Sequence, residues 1–144
     1  MIALFAQLQA ALLATDPDLK CQLTAQLQQH ALAHSLVWDV EAPILDFARA
    51  GQPERPLLVD PKKVKPRKMG TQAGYAALLH AVAHIEFNAI NLALDAAYRF
   101  RHIDTQFTLD WLRIAAEEAY HFGLMRERVR ALGFDYGECG AHNH

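Results

Sequence analysis

Apolar side chains in the first part of the chain recur at helical spacing. Leu4, Phe5, Leu8, Ala11 and Leu12 share one face, which predicts a helix over residues 2–14. Thr15-Asp16-Pro17 stops and restarts the chain, because Asp16 suits a cap and Pro17 suits a first helical position. A second helix then runs to about His34, with Leu19, Leu23, Leu27 and Ala31 on its stripe and Gln22, Gln26 and Gln29 opposite. Residues 1–34 therefore read as a helical hairpin, a packing element or an interaction surface.

The period breaks over residues 35–70. Five prolines fall there, Pro43, Pro53, Pro56, Pro61 and Pro66. Val40 to Ala50 suits a short helix with Pro43 in its first turn, anchored by Trp38, Ile44, Leu45 and Phe47. From Gly51 onward the prolines exclude a long helix or a central strand, and Leu57-Leu58-Val59 suits an extended piece. A loop of this length is either functional or packed by its own side chains.

Helical period returns at Gln72, with Thr71 as its cap, and holds to Phe100. That span is about 29 residues, or about 44 Å. Leu79, Val82, Ala83, Ala89, Ile90, Ala93, Leu94 and Ala97 form its apolar stripe, and Glu86 interrupts it. His80 and His84 sit on a flank, and Asn88, Asn91 and Asp95 continue that polar side. The short link from Arg101 to Thr108 suits two antiparallel helices. Thr108 is the expected cap of a last helix over Asp110–Leu132, with Leu112, Ala115, Ala119, Phe122, Met125 and Val129 inward and Gly133 ending it. The whole, residues 1–144, reads as one all-α domain, with residues 71–133 as its helix pair.

Composition narrows the function classes. The 144 residues are 52% hydrophobic with a net charge of -2, so no global field draws the chain to nucleic acid or membrane. No unbroken apolar run approaches the roughly 20 residues of a membrane span. The N-terminus lacks a basic region ahead of its apolar residues, as a secretory signal would have. Cys21 and Cys139 stand far apart and read as reduced thiols, which suits a cytoplasmic location. Lys62, Lys63, Lys65, Arg67 and Lys68 concentrate positive charge, but the run holds no aromatic residue for base stacking. A solvated loop is the plainer reading, ahead of contact with RNA or another anion.

Candidate chemistry concentrates in Glu118-Ala119-Tyr120-His121. A Glu and a His three apart project from one helix turn and can share a metal ion, as in carboxylate-bridged bundles. Glu86 is a second carboxylate, costly in an apolar stripe unless paired, protonated or metal-bound. Antiparallel packing would bring it to Glu118 and His121. Such donors suit iron, manganese or zinc without choosing among them. The bland alternative pairs Glu118 with an arginine and makes His121 a core histidine. His84, Glu117 and His80 are weaker candidates, His84 as a group that orients a ligating carboxylate. The pairs His30/His34 and His142/His144 lack further ligands nearby.

The stretches Leu79-His80-Ala81-Val82-Ala83-His84-Ile85-Glu86-Phe87-Asn88-Ala89-Ile90 and Glu117-Glu118-Ala119-Tyr120-His121-Phe122 resemble the ferritin-like family known as domain of unknown function 455. Pro56-Leu57-Leu58-Val59 and the basic proline loop fit it too. The resemblance implies a ferritin-like bundle, a carboxylate-bridged di-metal site and a distant likeness to non-haem di-iron oxygenases. A full bundle needs a second Glu helix and a second Glu-x-x-His helix, and members of the family are longer. This chain carries half the ligand set, Glu86, Glu118 and His121. Either the chain is a fragment of a longer protein or two copies assemble; the expectation is a half-bundle completed by a homodimer, holding two ions, iron before manganese or zinc, for oxygen-dependent oxidation or hydroxylation. The alternatives are an iron-binding or storage module and a purely structural helical dimer.

Overall fold

The structure is a computed structural model that describes residues 1–46, 50–53, 58–59, 70–137 and 141–142. Among them are four helices: α1 (Leu4–Leu13), α2 (Pro17–Leu32), α3 (Gln72–Arg99) and α4 (Thr105–Ala131). The all-α expectation holds, with two small additions. Strand β1 (Ile2–Ala3) pairs in parallel with β2 (Leu36–Val37), and β3 (Leu58–Val59) pairs in parallel with β4 (Ala141–His142). The extended reading of Leu58-Val59 is thus correct. The basic run 62–68 lies outside the described residues.

Local signals set most helix ends. Asp16 accepts from Leu19 N with Pro17 behind it, and Thr71 accepts from Gly74 N at 2.9 Å. Gly133 adopts φ +87°. Its N–H reaches Arg130 O while Phe134 N reaches Val129 O, so α4 ends in a Schellman turn. The start of α4 differs from the sequence reading. Asp104 is the cap, accepting from Phe107 N at 2.6 Å, and Thr108 lies buried inside the helix.

The α1–α2 hairpin covers the inner side of the α3–α4 pair, α1 lying on α3 and α2 on α4. Helices α3 and α4 run antiparallel. Phe100 meets Phe107 near the link, Phe87 meets Phe122 further along, and Gln72 Nε2 donates to Leu132 O at the far end. Leu4, Phe5, Leu8 and Leu12 join Phe87, Ile90, Leu94, Tyr98, Leu112 and Phe122 in one core.

Two faces are rolled from their expected positions. On α2, Lys20 and Thr24 are buried and Leu19 is exposed. The cause is at the end of α1, where Lys20 Nζ donates to Ala11 O at 2.8 Å and Leu12 O at 2.9 Å. Those carbonyls have no partner within their own helix, and the lysine supplies one at the cost of burial, which draws its pKa down to about 7. On α3, the flank expected to be polar and exposed is inside: His80, His84, Asn88 and Asn91 are all buried. Val82 and Ala89, placed in the stripe by sequence, are half-buried.

The expected short helix over Val40–Ala50 is absent from its described part, which runs irregularly through a turn at Ala42. Its backbone is held by side chains instead. Arg101 Nη1 donates to Ala42 O at 2.8 Å, and the Tyr98 hydroxyl accepts from Leu45 N at 2.9 Å. Pro43 also disfavours helical backbone at Ala42. Just upstream, Asp39 accepts from Phe5 N at 2.7 Å and Ala6 N at 3.0 Å. It caps α1 from another segment, since Ala3 offers no side-chain cap.

By length and composition α3 is the one described helix able to cross a membrane, with a mean hydropathy of 1.3 over its most apolar window. The absence of a long unbroken apolar run hides this in the sequence. In the fold, 56% of that window is buried.

Gly51 sits against the end of α1, where its N–H donates to Leu12 O at 2.6 Å. A Cβ there would collide with the Leu13 and Ala14 carbonyl oxygens. Gly51→Ala is expected to destabilise by about 1–3 kcal/mol. Lys20→Met is expected to cost a similar 1–3 kcal/mol, roughly, by stranding the Ala11 carbonyl and leaving Leu12 O only the Gly51 N–H. Urea unfolding followed by circular dichroism checks both, and wild-type midpoints in the two variants would refute this account of the α1 end.

Candidate metal centre

Helices α3 and α4 pass each other at the level of Glu86, Glu118 and His121. Glu118 and His121 stand one turn apart on α4, and the antiparallel course of α3 brings Glu86 to them. One donor atom from each lies within 4.8 Å of the others. His121 Nδ1 is 3.9 Å from Glu86 Oε2 and 3.8 Å from Glu118 Oε2. These gaps exceed the hydrogen-bond limit of about 3.2 Å. They fall inside the upper limit of roughly 4.2 Å for two donors each about 2.1 Å from a shared ion. Small side-chain rotations would bring the widest pair into the same range.

The surroundings add a second observation. The Glu86 and Glu118 side chains are 22% and 25% exposed, and His121 is 51% exposed, so the cluster opens to solvent on one side. Glu86 Oε2 itself is buried and has no hydrogen-bond partner among the described residues. An unsatisfied carboxylate oxygen of this kind costs free energy that a cation would recover. The donors and the unpartnered oxygen together fit a metal ion.

The bland alternative gains no arginine. Arg113 Nη1 pairs at 3.0 Å with Glu117, the neighbour of Glu118, and both side chains are half exposed. Glu117 is therefore in a surface ion pair. Among the described residues Glu118 has His121 as its ion-pair partner.

His80 and His84 belong to a different assembly. Tyr136, from the turn after α4, stacks on both rings, with centroids 5.1 Å and 6.2 Å away. Its hydroxyl lies 2.8 Å from His84 Nδ1, while His84 Nε2 faces the Asn88 amide at 3.3 Å. His80 Nε2 accepts from Gly137 N at 2.9 Å, which requires a neutral ring. Burial, then the neighbouring His84, lowers the His80 pKa to about 4. The turn that carries Tyr136 is clamped by Asp135, which accepts from Arg126 and Arg130 at 3.2 Å and 3.0 Å. Sequence reasoning passed over Tyr136. Its only local signal is an aromatic residue in a short glycine-bounded tail.

The remaining histidine and cysteine candidates stay apart from the cluster or outside the description. His30 Nδ1 faces Ser35 Oγ at 2.7 Å. Cys21 is a free thiol whose pKa burial raises to about 11. Cys139 and His144 lie outside the described residues.

Fold and cluster together define a helical protein with a carboxylate–histidine group between its two long helices. A family model for a protein of unknown function (DUF455) matches residues 13–144, and the chain belongs to that family. An uncharacterised protein of Haemophilus influenzae is 44% identical, over 94% of this chain and 51% of its own length. The chain thus spans about half of that relative. No solved structure matches.

His80 makes folding sensitive to acid. Its folded pKa, about 4, lies below the usual 6.5, so between these values the unfolded chain binds more protons. Its contribution to stability is complete above pH 6.5 and is lost as pH falls through 4. In metal-free protein, His80→Gln is expected to flatten the pH dependence of the urea midpoint across this window. An unchanged slope would show that another group carries it.

Proposed function

We propose that this chain is a metal-binding protein of ferritin-like type, with Glu86, Glu118 and His121 as its ligands. The observation that carries the reading is their convergence within 4.8 Å, with one buried Glu86 oxygen left without a hydrogen-bond partner among the described residues. In this reading the 71–133 helix pair is the metal-binding half of a bundle. A second copy supplies the other three ligands, giving a carboxylate-bridged pair of ions, iron before manganese or zinc. Bound iron would supply redox chemistry toward dioxygen, for oxidation or hydroxylation of a substrate. The chain's own residues would hold the ions and leave one side open, where the half-exposed His121 lies. A cytoplasmic setting suits the free thiol of Cys21.

That same openness favours a second reading, metal binding with iron oxidation and storage and no organic substrate. Anaerobic loading with ferrous ion followed by oxygen exposure separates the two. Substrate-free consumption of oxygen that ends in retained ferric ion supports storage, whereas retention of few ions supports a catalytic site.

Glu86→Ala, Glu118→Ala and His121→Ala are each expected to weaken metal affinity by about tenfold or more. Glu117→Ala should leave it unchanged. Elemental analysis of anaerobically purified protein, with titration calorimetry, reads this directly. Equal metal content in all four variants would sink the ligand assignment.

Stability gives an independent test. In metal-free protein the buried Glu86 oxygen is a liability, so Glu86→Leu is expected to raise stability by about 1 kcal/mol or more. The same variant should lose the metal-dependent stabilisation, which reaches about 2.7 kcal/mol at a hundredfold excess over Kd and is read as a rise in Tm. A structural ion pair predicts the opposite sign, destabilisation without metal.

A further inference from the structure

We infer that the outer face of α3 is the docking surface for a second copy of this chain, laid antiparallel across a two-fold axis at Ile85. The inference builds on the proposed metal site, which a second copy would complete, but its first support is separate. Leu78, Ile85 and Leu92 repeat every seven residues along α3 and are 47%, 56% and 68% exposed. Val82 and Ala89 fall between them, half-buried, at alternating spacings of three and four. This is the seam of a helix that packs against another helix. The opposite face of α3 is already filled by α1, α4 and Tyr136. Contiguous exposed apolar stripes mark contact sites.

The seam is self-complementary. Leu78 and Leu92 stand equally far from Ile85 on either side. An antiparallel copy therefore sets Leu78 against Leu92 of the other chain and Ile85 against its own equivalent, the matching that an isologous dimer needs. Glu86 follows Ile85 directly, so the two ligand clusters would flank the axis. On the α4 side, Ile114 and Met125 lie one turn before Glu118 and one turn after His121, and both are partly buried against the core. They continue the apolar surface above and below the polar cluster.

The area approaches that of a small stable interface. Helix α3 has 28 residues, a length of about 42 Å, and two facing strips about 10 Å wide bury on the order of 800 Å². Ile114, His121 and Met125 on α4 extend this toward the roughly 1,200 Å² of stable interfaces.

The test is solution mass by sedimentation equilibrium, with metal content measured on the same samples. Wild type is expected to be a dimer. Ile85→Asp and Leu92→Glu, both at exposed positions, should give monomers with unchanged helical circular dichroism. Ile85→Cys, in a Cys21→Ser, Cys139→Ser background, should form a disulfide with itself on mild oxidation, since its two Cα atoms would lie within about 7 Å. Gln29→Cys, exposed on α2, should not. A monomeric wild type overturns the inference, and so does a dimer that survives Ile85→Asp. A monomer that floats with phosphatidylcholine vesicles overturns it by assigning the stripe to a bilayer. A dimer without metal upholds the interface and removes the metal reading, while a monomer that binds metal does the reverse.

Discussion

Helix α3 carries apolar side chains on its inner and outer faces with a polar flank between them, and the rest of the chain is arranged to cover the inner face and that flank. Its inner side takes α1, through Leu4, Phe5, Leu8 and Leu12, and one flank takes α4, through the Phe87–Phe122 contact. Burying a large aliphatic or aromatic side chain gains roughly 1.5–3 kcal/mol, so these few contacts outweigh any single polar interaction in the molecule. The polar residues on α3 are then placed by what the neighbours can offer. His80 and His84 are buried because Tyr136 and Gly137 fold back to meet them. Asn91 is buried beside the Gly51 carbonyl, which its Nδ2 reaches at 3.4 Å. Glu86 lies at the edge of the covered region, where the partner groups run out.

A second constraint is the backbone of the short elements. Helix α1 has ten residues, too few to be stable alone in water. Both of its ends are held by side chains from elsewhere, Asp39 at the start and Lys20 at the finish. Arg101 and Tyr98 do the same for the irregular segment after β2. Arg101 also lies over the Phe5 ring, 4.1 Å from its centroid, so one side chain joins the 40–45 segment, α1 and the α3–α4 link. The loop reaches its place through long-range tethers rather than through a periodicity of its own.

This division decides what could be read from the sequence. The caps at Asp16 and Thr71, the stop at Gly133 and the two long helices depend on residues within a turn of one another, and all were legible. The roll of α2 was not, because Lys20 looks like a solvated charge until the α1 carbonyls are in place. The buried polar flank of α3 was missed for the same reason: its partner Tyr136 is 52 residues from His84. The short helix expected near Pro43 yields to hydrogen bonds from Arg101 and Tyr98, which no local window contains. The cluster was legible because its signal is local twice over. Glu118 and His121 share a turn, and Glu86 breaks an apolar stripe.

The two polar groups on α3 show how differently a fold can treat a buried ligand-type side chain. His80 has its acceptor nitrogen met by Gly137, its ring stacked, and its charge suppressed by burial. It is finished as a structural residue and contributes to stability. Glu86 has received no such completion: one oxygen is buried without a hydrogen bond among the described residues, and a second carboxylate lies close by on α4. Two carboxylates close together repel, and among the described residues the ion-pair partner of each is an imidazole at a distance too long for a hydrogen bond. A stability-optimised pair of helices would place leucine or alanine at that level. The acid at position 86 is a cost to the fold, which a bound cation would offset under the proposed function.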